Sequence, residues 1–345
     1  MFLAALLLMI QSSISNNAYA IVSDPTDPNV YKKAYESKVR PFFDSEPFHS
    51  FVGKDGIKIA YKIFKAPQEK ARIVLLPGRT ESIQKYAEVI YDLLVGKGLR
   101  DMGYSIYVMD HRGQGESERL ISNPHMQYVD SYKDFVVDLE TFMDTIVGPT
   151  QNVKQLLLAH SMGGAIGTLY MWQHPKVFSA AVLSSPMFEI NTAPFPKLVA
   201  VGLAEMGCAF GAGKTFAPTQ GGYVPFETFK LNDFTSCLDR YTMTEQGFVD
   251  APETQMGGAS YQFIRASFHA TDKIAKISSL SEIPLLIFQA EKDKVVNPEG
   301  QNNFCANAKN CKLVQVPGAE HEVLMEVDSI RNNVLDQITD YLKSF

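Results

Sequence analysis

The sequence predicts an α/β architecture in which helices cover both faces of a mostly parallel sheet. Three observations lead to this fold class. Short apolar runs alternate with longer helical patterns along the chain. Each run is apolar at successive residues, which is typical of strands that are buried on both faces. One long interval without strand patterns indicates a helical insertion, or cap, between two strands of the core.

The individual elements follow in order from these patterns. Strands are predicted at residues 72–77, 104–110, 154–160, 180–185, 284–290 and 312–317. Helical patterns lie between them, for example at residues 83–95, 132–146, 163–172 and 329–342. The interval 188–275 holds an apolar segment and then a stretch rich in glycine, proline and threonine. We therefore expect an α/β core formed by residues 21–187 and 276–345, with a mainly helical cap (lid) at residues 188–275.

The composition limits the classes of function. The 345 residues, 46% of them hydrophobic, are enough for one large core with an insertion. The net charge is −6, and the sequence has no block of like charges that would form a basic surface. We therefore expect no nucleic-acid partner.

The first 20 residues are predicted to be a signal peptide. Their apolar run, residues 2–10, is too short to span a bilayer, and Ala18 and Ala20 are the small residues that signal peptidase requires. Cleavage after Ala20 would export the chain to the periplasm, the outer envelope or the medium. The alternative is an uncleaved apolar leader or anchor, because the α-amine of Met1 is the only positive charge before the run. The residue after Ala20 is not cysteine, which argues against a lipoprotein.

The cysteines permit disulfides in an exported chain. There are four of them, Cys208, Cys237, Cys305 and Cys311. The local pairings would join Cys208 to Cys237 and Cys305 to Cys311, and isolated buried thiols are the alternative. None has the CxxC spacing, so we expect no metal site built on sulfur.

The stretch LLLAHSMGGAIG, residues 156–167, has the pattern of a nucleophile elbow, a sharp turn that presents a serine between a strand and a helix. Ser161 follows the apolar strand and precedes the helical pattern. The turn requires small residues two positions before and after the serine, where Ala159 and Gly163 stand. Ala159 replaces the glycine of the usual G-x-S-x-G motif but is small enough for the turn. We therefore predict that Ser161 is a nucleophile rather than a simple helix N-cap.

A serine nucleophile needs a histidine base and a carboxylate that orients this base. His321 is the histidine that lies beyond the last predicted strand, where a loop at the carboxyl end of the sheet could carry it to Ser161. Asp293 and Glu291 both follow the strand at residues 284–290, so either could supply the carboxylate. Both fit the chain order serine, acid, histidine.

Stabilisation of an oxyanion requires two preorganised N–H donors. The first is expected to be the backbone amide of Met162, directly after the nucleophile. The second is expected in LLPGRTES, the loop after the first predicted strand, which points to the amide of Arg79. The Arg79 side chain could contact an anionic substrate group, or it could be a solvated surface arginine.

The apolar segment of the cap is expected to form a wall for a fatty-acyl chain, with packing on the core as the alternative. The candidate substrate-binding residues are Leu198, Val201, Met206 and Phe210. An apolar cap could also rest on a membrane surface.

These motifs resemble those of the α/β-hydrolase superfamily, and within it those of the bacterial lysophospholipase L2 and monoacylglycerol lipase-like family. The matching stretches are PGRTESIQKYAEVIYDL, YVMDHRGQGESERL, LLLAHSMGGAIGTLY, AEKDKVV and GAEHEVLME, in this order along the chain. The resemblance implies that Ser161, Asp293 and His321 are nucleophile, acid and base. It also implies oxyanion donors at Arg79 and Met162, and a structural role for the loop DHRGQGES in place of phosphate binding.

The activity implied by the resemblance is hydrolysis of the acyl ester of a single-chain lipid through an acyl-enzyme, without a cofactor. Pro77 stands where many monoacylglycerol lipases have a histidine, which favours a lysophospholipid substrate. A monoacylglycerol lipase or carboxylesterase is the nearest alternative. An acyltransferase that uses the same acyl-enzyme and a non-catalytic lipid-binding protein are the others.

Overall fold

The structure is a computed structural model that describes residues 28–149, 153–225 and 228–345. Its strands are β1 His49–Val52, β2 Lys58–Phe64, β3 Ala71–Leu76, β4 Tyr104–Met109, β5 Lys154–His160, β6 Ala180–Ser184, β7 Leu285–Ala290 and β8 Cys311–Val316. They form one sheet in the order β1-β2-β4-β3-β5-β6-β7-β8. The strands from β4 to β8 along this order are parallel, whereas β1 and β2 are antiparallel at one edge.

The α-helices of the described residues connect and cover these strands. They are α1 Pro28–Ala34, α2 Arg40–Asp44, α3 Ala87–Tyr91, α4 Tyr132–Phe142, α5 Met162–Gln173, α6 Lys197–Ala209, α7 Leu238–Asp250, α8 Tyr261–Ile277, α9 Pro298–Asn307 and α10 Asp328–Lys343. Short 3-10 or π turns extend α3 and α4. The helices predicted from the sequence are therefore confirmed.

All six predicted strands are present, with ends that agree with the predicted ends to within one residue. The sequence pattern did not predict β1 and β2. In β2, KIAYKIF, polar and apolar residues are mixed, because an antiparallel strand near the edge of a sheet is not covered equally on both faces. The α/β fold class with a mostly parallel sheet is confirmed.

Successive residues of the central strands point into two apolar layers, one on each face of the sheet. In β5, Leu157 and Ala159 belong to the layer that includes residues of α4, α5 and α8. Leu156 and Leu158 belong to the other layer, with residues of α3 and α10. All four side chains are at most 1% exposed. This two-sided burial is the reason for the continuous apolar runs in the sequence.

Between β6 and β7, the described residues form helices and no strand. Helix α8 carries Phe263 and Ala266 into the same apolar layer as Leu157. Helix α6 lies against α8, since a Cβ atom on Gly207 would come within 2.4 Å of the Tyr261 ring. The boundary drawn at residue 275 from the sequence thus falls inside α8, a helix that packs on both the core and the rest of the cap.

One of the two expected disulfides is present. Cys305 in α9 is bonded to Cys311, the first residue of β8. Cys208 and Cys237 are not bonded to each other, so this one of the two local pairings is wrong. The physical reason is that the two cysteines belong to segments of the cap that pack on different elements. Cys208 lies in α6, which packs on α8, whereas Cys237 precedes α7, which Arg240 ties to the core.

The described residues contain no helix that is both long enough and apolar enough to cross a bilayer. The predicted signal peptide, residues 1–20, lies outside the described residues.

Candidate active site

Ser161 stands at the turn between β5 and α5, at the carboxyl end of the sheet. Its backbone has φ 49° and ψ −115°, a strained conformation for a residue with a side chain. The turn depends on Gly163, because a Cβ atom there would lie 2.4 Å from the carbonyl oxygens of Leu76 and Pro77. Ala159 is buried in the apolar layer. The strand, turn and helix expected of the elbow are present, with alanine at the first small position.

Two hydrogen bonds connect Ser161 to an imidazole and a carboxylate. His321 Nε2 lies 2.8 Å from Ser161 Oγ, and His321 Nδ1 lies 2.7 Å from Asp293 Oδ2. His321 comes from the loop after β8 and Asp293 from the loop after β7, so three strand ends meet here. This geometry allows the imidazole to take the hydroxyl proton while the carboxylate orients the ring.

Asp293, and not Glu291, contacts the imidazole. Asp293 Oδ1 accepts hydrogen bonds from the backbone N–H groups of Val295 and Val296, at 2.8 and 3.0 Å. Burial opposes ionisation of Asp293, but its bonds to His321 and to these amides outweigh burial, and its pKa lies below the usual value. Glu291 is exposed and accepts a bond from the Gly318 amide at 2.7 Å. The structure therefore places an ionised Asp293 beside the histidine.

The two backbone amides expected to bind an oxyanion lie beside Ser161. Met162 is the next residue in the chain, and Arg79, in the loop after β3, lines the same cavity as Ser161. Across the described residues, neither N–H group donates a hydrogen bond to another part of the chain. Two N–H donors without internal acceptors are what an oxyanion hole requires.

The loop DHRGQGES holds the Arg79 loop in place. Gln114 Nε2 donates hydrogen bonds to the carbonyl oxygens of Gly78 and Glu81, at 2.8 and 3.1 Å. Gly115 allows the loop to close, because a Cβ atom there would lie 2.2 Å from the Asp110 carboxylate. Burial raises the pKa of this Asp110 to about 7. The hydrogen bonds of the loop support a structural role.

A buried ionic group, missed in the sequence, lies behind the imidazole. Lys85 Nζ is 2.8 Å from Glu81 Oε1 and also bonds to Glu322, the residue after His321. Burial acts to raise the pKa of Glu81, but the charge of Lys85 outweighs it and the pKa falls to about 2. The i, i+4 spacing of Glu81 and Lys85 is the only sequence signal for this group.

His160 separates this ionic group from the histidine that contacts Ser161. Its ring centre is 4.9 Å from that of His321, and its Nδ1 is 3.0 Å from the Ser184 carbonyl oxygen. Burial lowers the pKa of His160 to about 4, so this ring is neutral at physiological pH. A neutral ring does not repel the positive charge that His321 acquires when it takes a proton.

A cavity of about 340 Å³ opens at Ser161 and His321. Apolar side chains from the loop after β6, the start of the cap, α8 and the loop after β7 form much of its wall. They include Met187, Ile190, Phe195, Phe263, Phe268 and Val296. We call this the acyl cavity because its wall is suited to a fatty-acyl chain.

The cap residues predicted to form this wall do not line it. These residues are Leu198, Val201, Met206 and Phe210. Leu198 and Phe210 are each 87% exposed, and Met206 is 52% exposed. Helix α6 turns Ala200 into the cavity and buries Ala204, whereas Leu198 and Met206 lie on its outward side. The prediction of an acyl wall from these four residues is wrong.

A second cavity, of about 300 Å³, adjoins the acyl cavity. Arg79, Thr80 and Thr219 line both, so these residues mark the junction. Arg79 Nη1 donates to Gln127 Oε1 at 3.2 Å. We call this second space the polar cavity.

Known proteins of similar sequence identify the family of this chain. A family model described as serine aminopeptidase, S33 matches residues 67–328. Lysophospholipase L2 of Escherichia coli strain K12 is 33% identical over 301 residues, which cover 84% of this chain and 86% of that protein. The chain belongs to the lysophospholipase L2 and monoacylglycerol lipase-like family of α/β-hydrolases.

More distant members of the family are also similar to this hydrolase. Monoacylglycerol lipase of Mycolicibacterium smegmatis is 24% identical over 299 residues, which cover 86% of this chain and 96% of that protein. Among solved structures, a soluble variant of monoglyceride lipase from Saccharomyces cerevisiae superposes with a TM-score of 0.68 at 20% identity, covering 86% of this chain and 94% of that one. The likeness confirms the α/β-hydrolase fold.

Proposed function

We propose that this hydrolase is a lysophospholipase, a serine esterase that releases the fatty acid of a single-chain phospholipid. The observation that carries the proposal is the hydrogen-bonded series Ser161, His321 and Asp293 at the mouth of the apolar acyl cavity. A nucleophile placed beside an apolar cavity can attack an ester whose acyl chain fills that cavity.

The first half of the reaction forms an acyl-enzyme. His321 Nε2 takes the proton of Ser161 Oγ as this oxygen attacks the ester carbonyl. The Arg79 and Met162 amides bind the oxyanion that forms. Collapse of this intermediate breaks the ester bond, and His321 gives its proton to the leaving alcohol of the glycerol head group.

The second half hydrolyses the acyl-enzyme. A water molecule gives a proton to His321 and attacks the Ser161 ester, and the same amides bind the second oxyanion. The ester breaks, Ser161 Oγ recovers its proton from His321, and the fatty acid leaves. Asp293 stabilises the imidazolium in both halves through its bond to Nδ1.

The choice of a lysophospholipid over a monoacylglycerol rests on two observations. The relatives named lysophospholipase L2 are 30% to 33% identical to this chain, whereas the named monoacylglycerol lipases are 24% to 26% identical. The polar cavity, which adjoins the acyl cavity at Arg79, also leaves room for a head group larger than glycerol.

We also propose that the protein is exported and that its cap contacts a membrane. The Cys305–Cys311 disulfide suits an oxidising compartment, in agreement with a signal peptide at residues 1–20. Leu198 and Met206 on the outer face of α6, and Phe210 directly after this helix, are exposed and form an apolar surface that a bilayer could cover. Mass spectrometry of the exported protein should find Ile21 as its first residue.

The proposed function is tested by the products formed from lysophosphatidylethanolamine. The purified protein should release free fatty acid and glycerophosphoethanolamine, and Ser161→Ala should release neither. Diacyl phospholipid as the main product would identify an acyltransferase instead. Absence of all products, together with no labelling of Ser161 by a fluorophosphonate, would support a non-catalytic protein.

A further inference from the structure

Arg79 places a positive charge where the acyl cavity and the polar cavity meet. Its guanidinium is partly buried, and burial lowers its pKa without making an arginine neutral. Its hydrogen-bond partner, Gln127, is an uncharged amide 3.2 Å away. Within the described residues no carboxylate forms an ion pair with Arg79. A positive charge without an internal counter-ion favours an anionic ligand.

The other cationic side chains that line the polar cavity form ion pairs with carboxylates of the same chain. Lys85 bonds to both Glu81 and Glu322. Arg240 pairs with Glu88 at 2.8 Å and with Asp328 at 2.7 Å. Among these lining cations in the described part of the chain, Arg79 is therefore the one that remains available to a ligand.

Two strained threonines fix the backbone around this junction. Thr80 has φ 60° and Thr219 has φ 67°, although a β-branched residue rarely adopts positive φ. Both line the two cavities. Backbone strain of this kind persists where the surrounding structure enforces it, and it is concentrated at functional sites. The position of Arg79, next to Thr80, is thus set by the fold.

The part of the polar cavity away from Ser161 has a different character. Tyr223, Tyr241, Glu245 and Phe248 line the polar cavity but not the acyl cavity. Tyr223 Oη donates to Glu245 Oε2 at 3.0 Å, and the rings of Tyr223 and Phe248 meet edge to face with centres 5.9 Å apart. Aromatic rings around a carboxylate form the kind of site that binds an ammonium group.

We propose that the polar cavity binds the head group of a zwitterionic lysophospholipid, with its phosphate on Arg79 and its ammonium group at Glu245. This inference rests on the proposed function, because it assumes that the scissile ester lies at Ser161 and the acyl chain in the acyl cavity. A purely anionic head group has no ammonium group to place beside Glu245. A monoacylglycerol would leave the Arg79 charge without a partner.

The test compares three substrates with the same acyl chain in the same detergent micelles. They are lysophosphatidylethanolamine, lysophosphatidylglycerol and monoacylglycerol. Arg79→Ala keeps the backbone amide, so we expect the ratio of kcat/KM for lysophosphatidylethanolamine to that for monoacylglycerol to fall about 10- to 100-fold. Glu245→Gln should lower the preference for lysophosphatidylethanolamine over lysophosphatidylglycerol about fivefold or more.

Arg100→Ala is the matched control for the loss of one arginine. Arg100 precedes the amino end of β4, opposite the carboxyl ends of the strands that carry the site, and it donates to the Lys65 carbonyl oxygen. For this variant, the ratios of kcat/KM among the three substrates should equal those of the unsubstituted protein. Equal loss of activity on all three substrates in Arg79→Ala, with the protein still folded, would overturn the proposal, because Arg79 would then act only through the oxyanion loop.

A second measurement separates the head-group site from the proposed activity. sn-Glycero-3-phosphoethanolamine should competitively inhibit hydrolysis of a p-nitrophenyl ester, and Arg79→Ala should raise its inhibition constant at least about tenfold. Lysophospholipid hydrolysis without such inhibition, and with unchanged ratios, would overturn the head-group site alone. Inhibition without lysophospholipid hydrolysis would support the site and refute the proposed function.

Discussion

At the scale of single residues, burial and pairing decide which groups of the site carry charge. Asp293 is ionised because His321 and two backbone amides bind its carboxylate, against the effect of burial. His160 is neutral because it is buried. The imidazole of His321 thus has a negative neighbour on one side and a neutral one on the other. Asp293 thus stabilises the imidazolium that forms when His321 takes the serine proton, and neutral His160 does not oppose it.

Asp293→Asn tests the role of the carboxylate. An amide keeps the shape of the side chain but not the charge that holds the histidine tautomer, so we expect kcat to fall about 10⁴-fold. Glu291→Gln is the matched control, since Glu291 follows the same strand and its exposed carboxylate accepts a hydrogen bond from the Gly318 amide rather than from His321. Its kcat for fatty-acid release should stay within about twofold of the unsubstituted value. The opposite ranking of the two variants would show that Glu291 is the functional acid.

Glu81→Gln tests the ionic group behind the imidazole. The folded-state pKa of Glu81, about 2, lies below the ordinary value of 4.5, so ionised Glu81 stabilises the fold above about pH 4.5. This contribution is lost as the pH falls from about 4.5 towards the lower folded-state pKa. Urea unfolding should show a destabilised variant at about pH 7 and a smaller difference at about pH 3.5. A difference that does not change with pH would contradict the assignment.

The residues of the site differ in how far the sequence alone could identify them. Ser161 stands in a local motif, and His321 is set apart by its place after the last strand, so both could be predicted. The sequence left Asp293 and Glu291 as alternatives until the family resemblance favoured Asp293. Spacing cannot show which carboxylate turns towards a histidine that follows Asp293 by 28 residues along the chain. The pairing of Lys85 with Glu322 depends on the packing of distant loops in the same way.

At the scale of elements, strands were easier to predict than the orientation of helices. A strand covered on both faces is apolar throughout, so its sequence alone identifies it. Helix α6 is apolar almost all round, and such a helix gives no sign of which face turns inward. Small residues, Ala200 and Ala204, face inward, while the large residue Phe210 faces outward. Close approach to α8 at Gly207 is the reason for this choice.

The exposed face of α6 leads to a prediction about membrane binding. Replacement of both Leu198 and Phe210 by serine removes two large apolar side chains that are each 87% exposed. We expect binding to phospholipid vesicles, measured by co-sedimentation, to weaken about tenfold or more. Hydrolysis of a soluble short-chain ester should be unaffected, because neither side chain lines the acyl cavity.

Val52→Ser is the matched control for this variant. Val52 is 69% exposed and lies in β1, at the edge of the sheet and outside the cap. Vesicle binding should be the same as for the unsubstituted protein. Equal weakening by Val52→Ser, or none by the α6 variant, would argue against membrane contact through this helix.

At the scale of the whole molecule, the sheet and the cap supply different parts of the site. The carboxyl ends of β5, β7 and β8 supply Ser161, Asp293 and His321. The cap covers these strand ends and lines both cavities, the apolar one with α8 and the polar one with α7. The core thus fixes the chemistry of ester cleavage, and the cap fixes which ester fits.

The measurement that tests this division most directly is a competition between two substrates in one vessel. Lysophosphatidylethanolamine and monoacylglycerol with distinguishable acyl chains of equal length are mixed in equal amounts, and the two fatty acids are measured over time. We expect faster release from the lysophospholipid and none from either substrate with Ser161→Ala. Faster release from monoacylglycerol would make the protein a monoacylglycerol lipase, and release that persists in Ser161→Ala would contradict the assignment of the nucleophile.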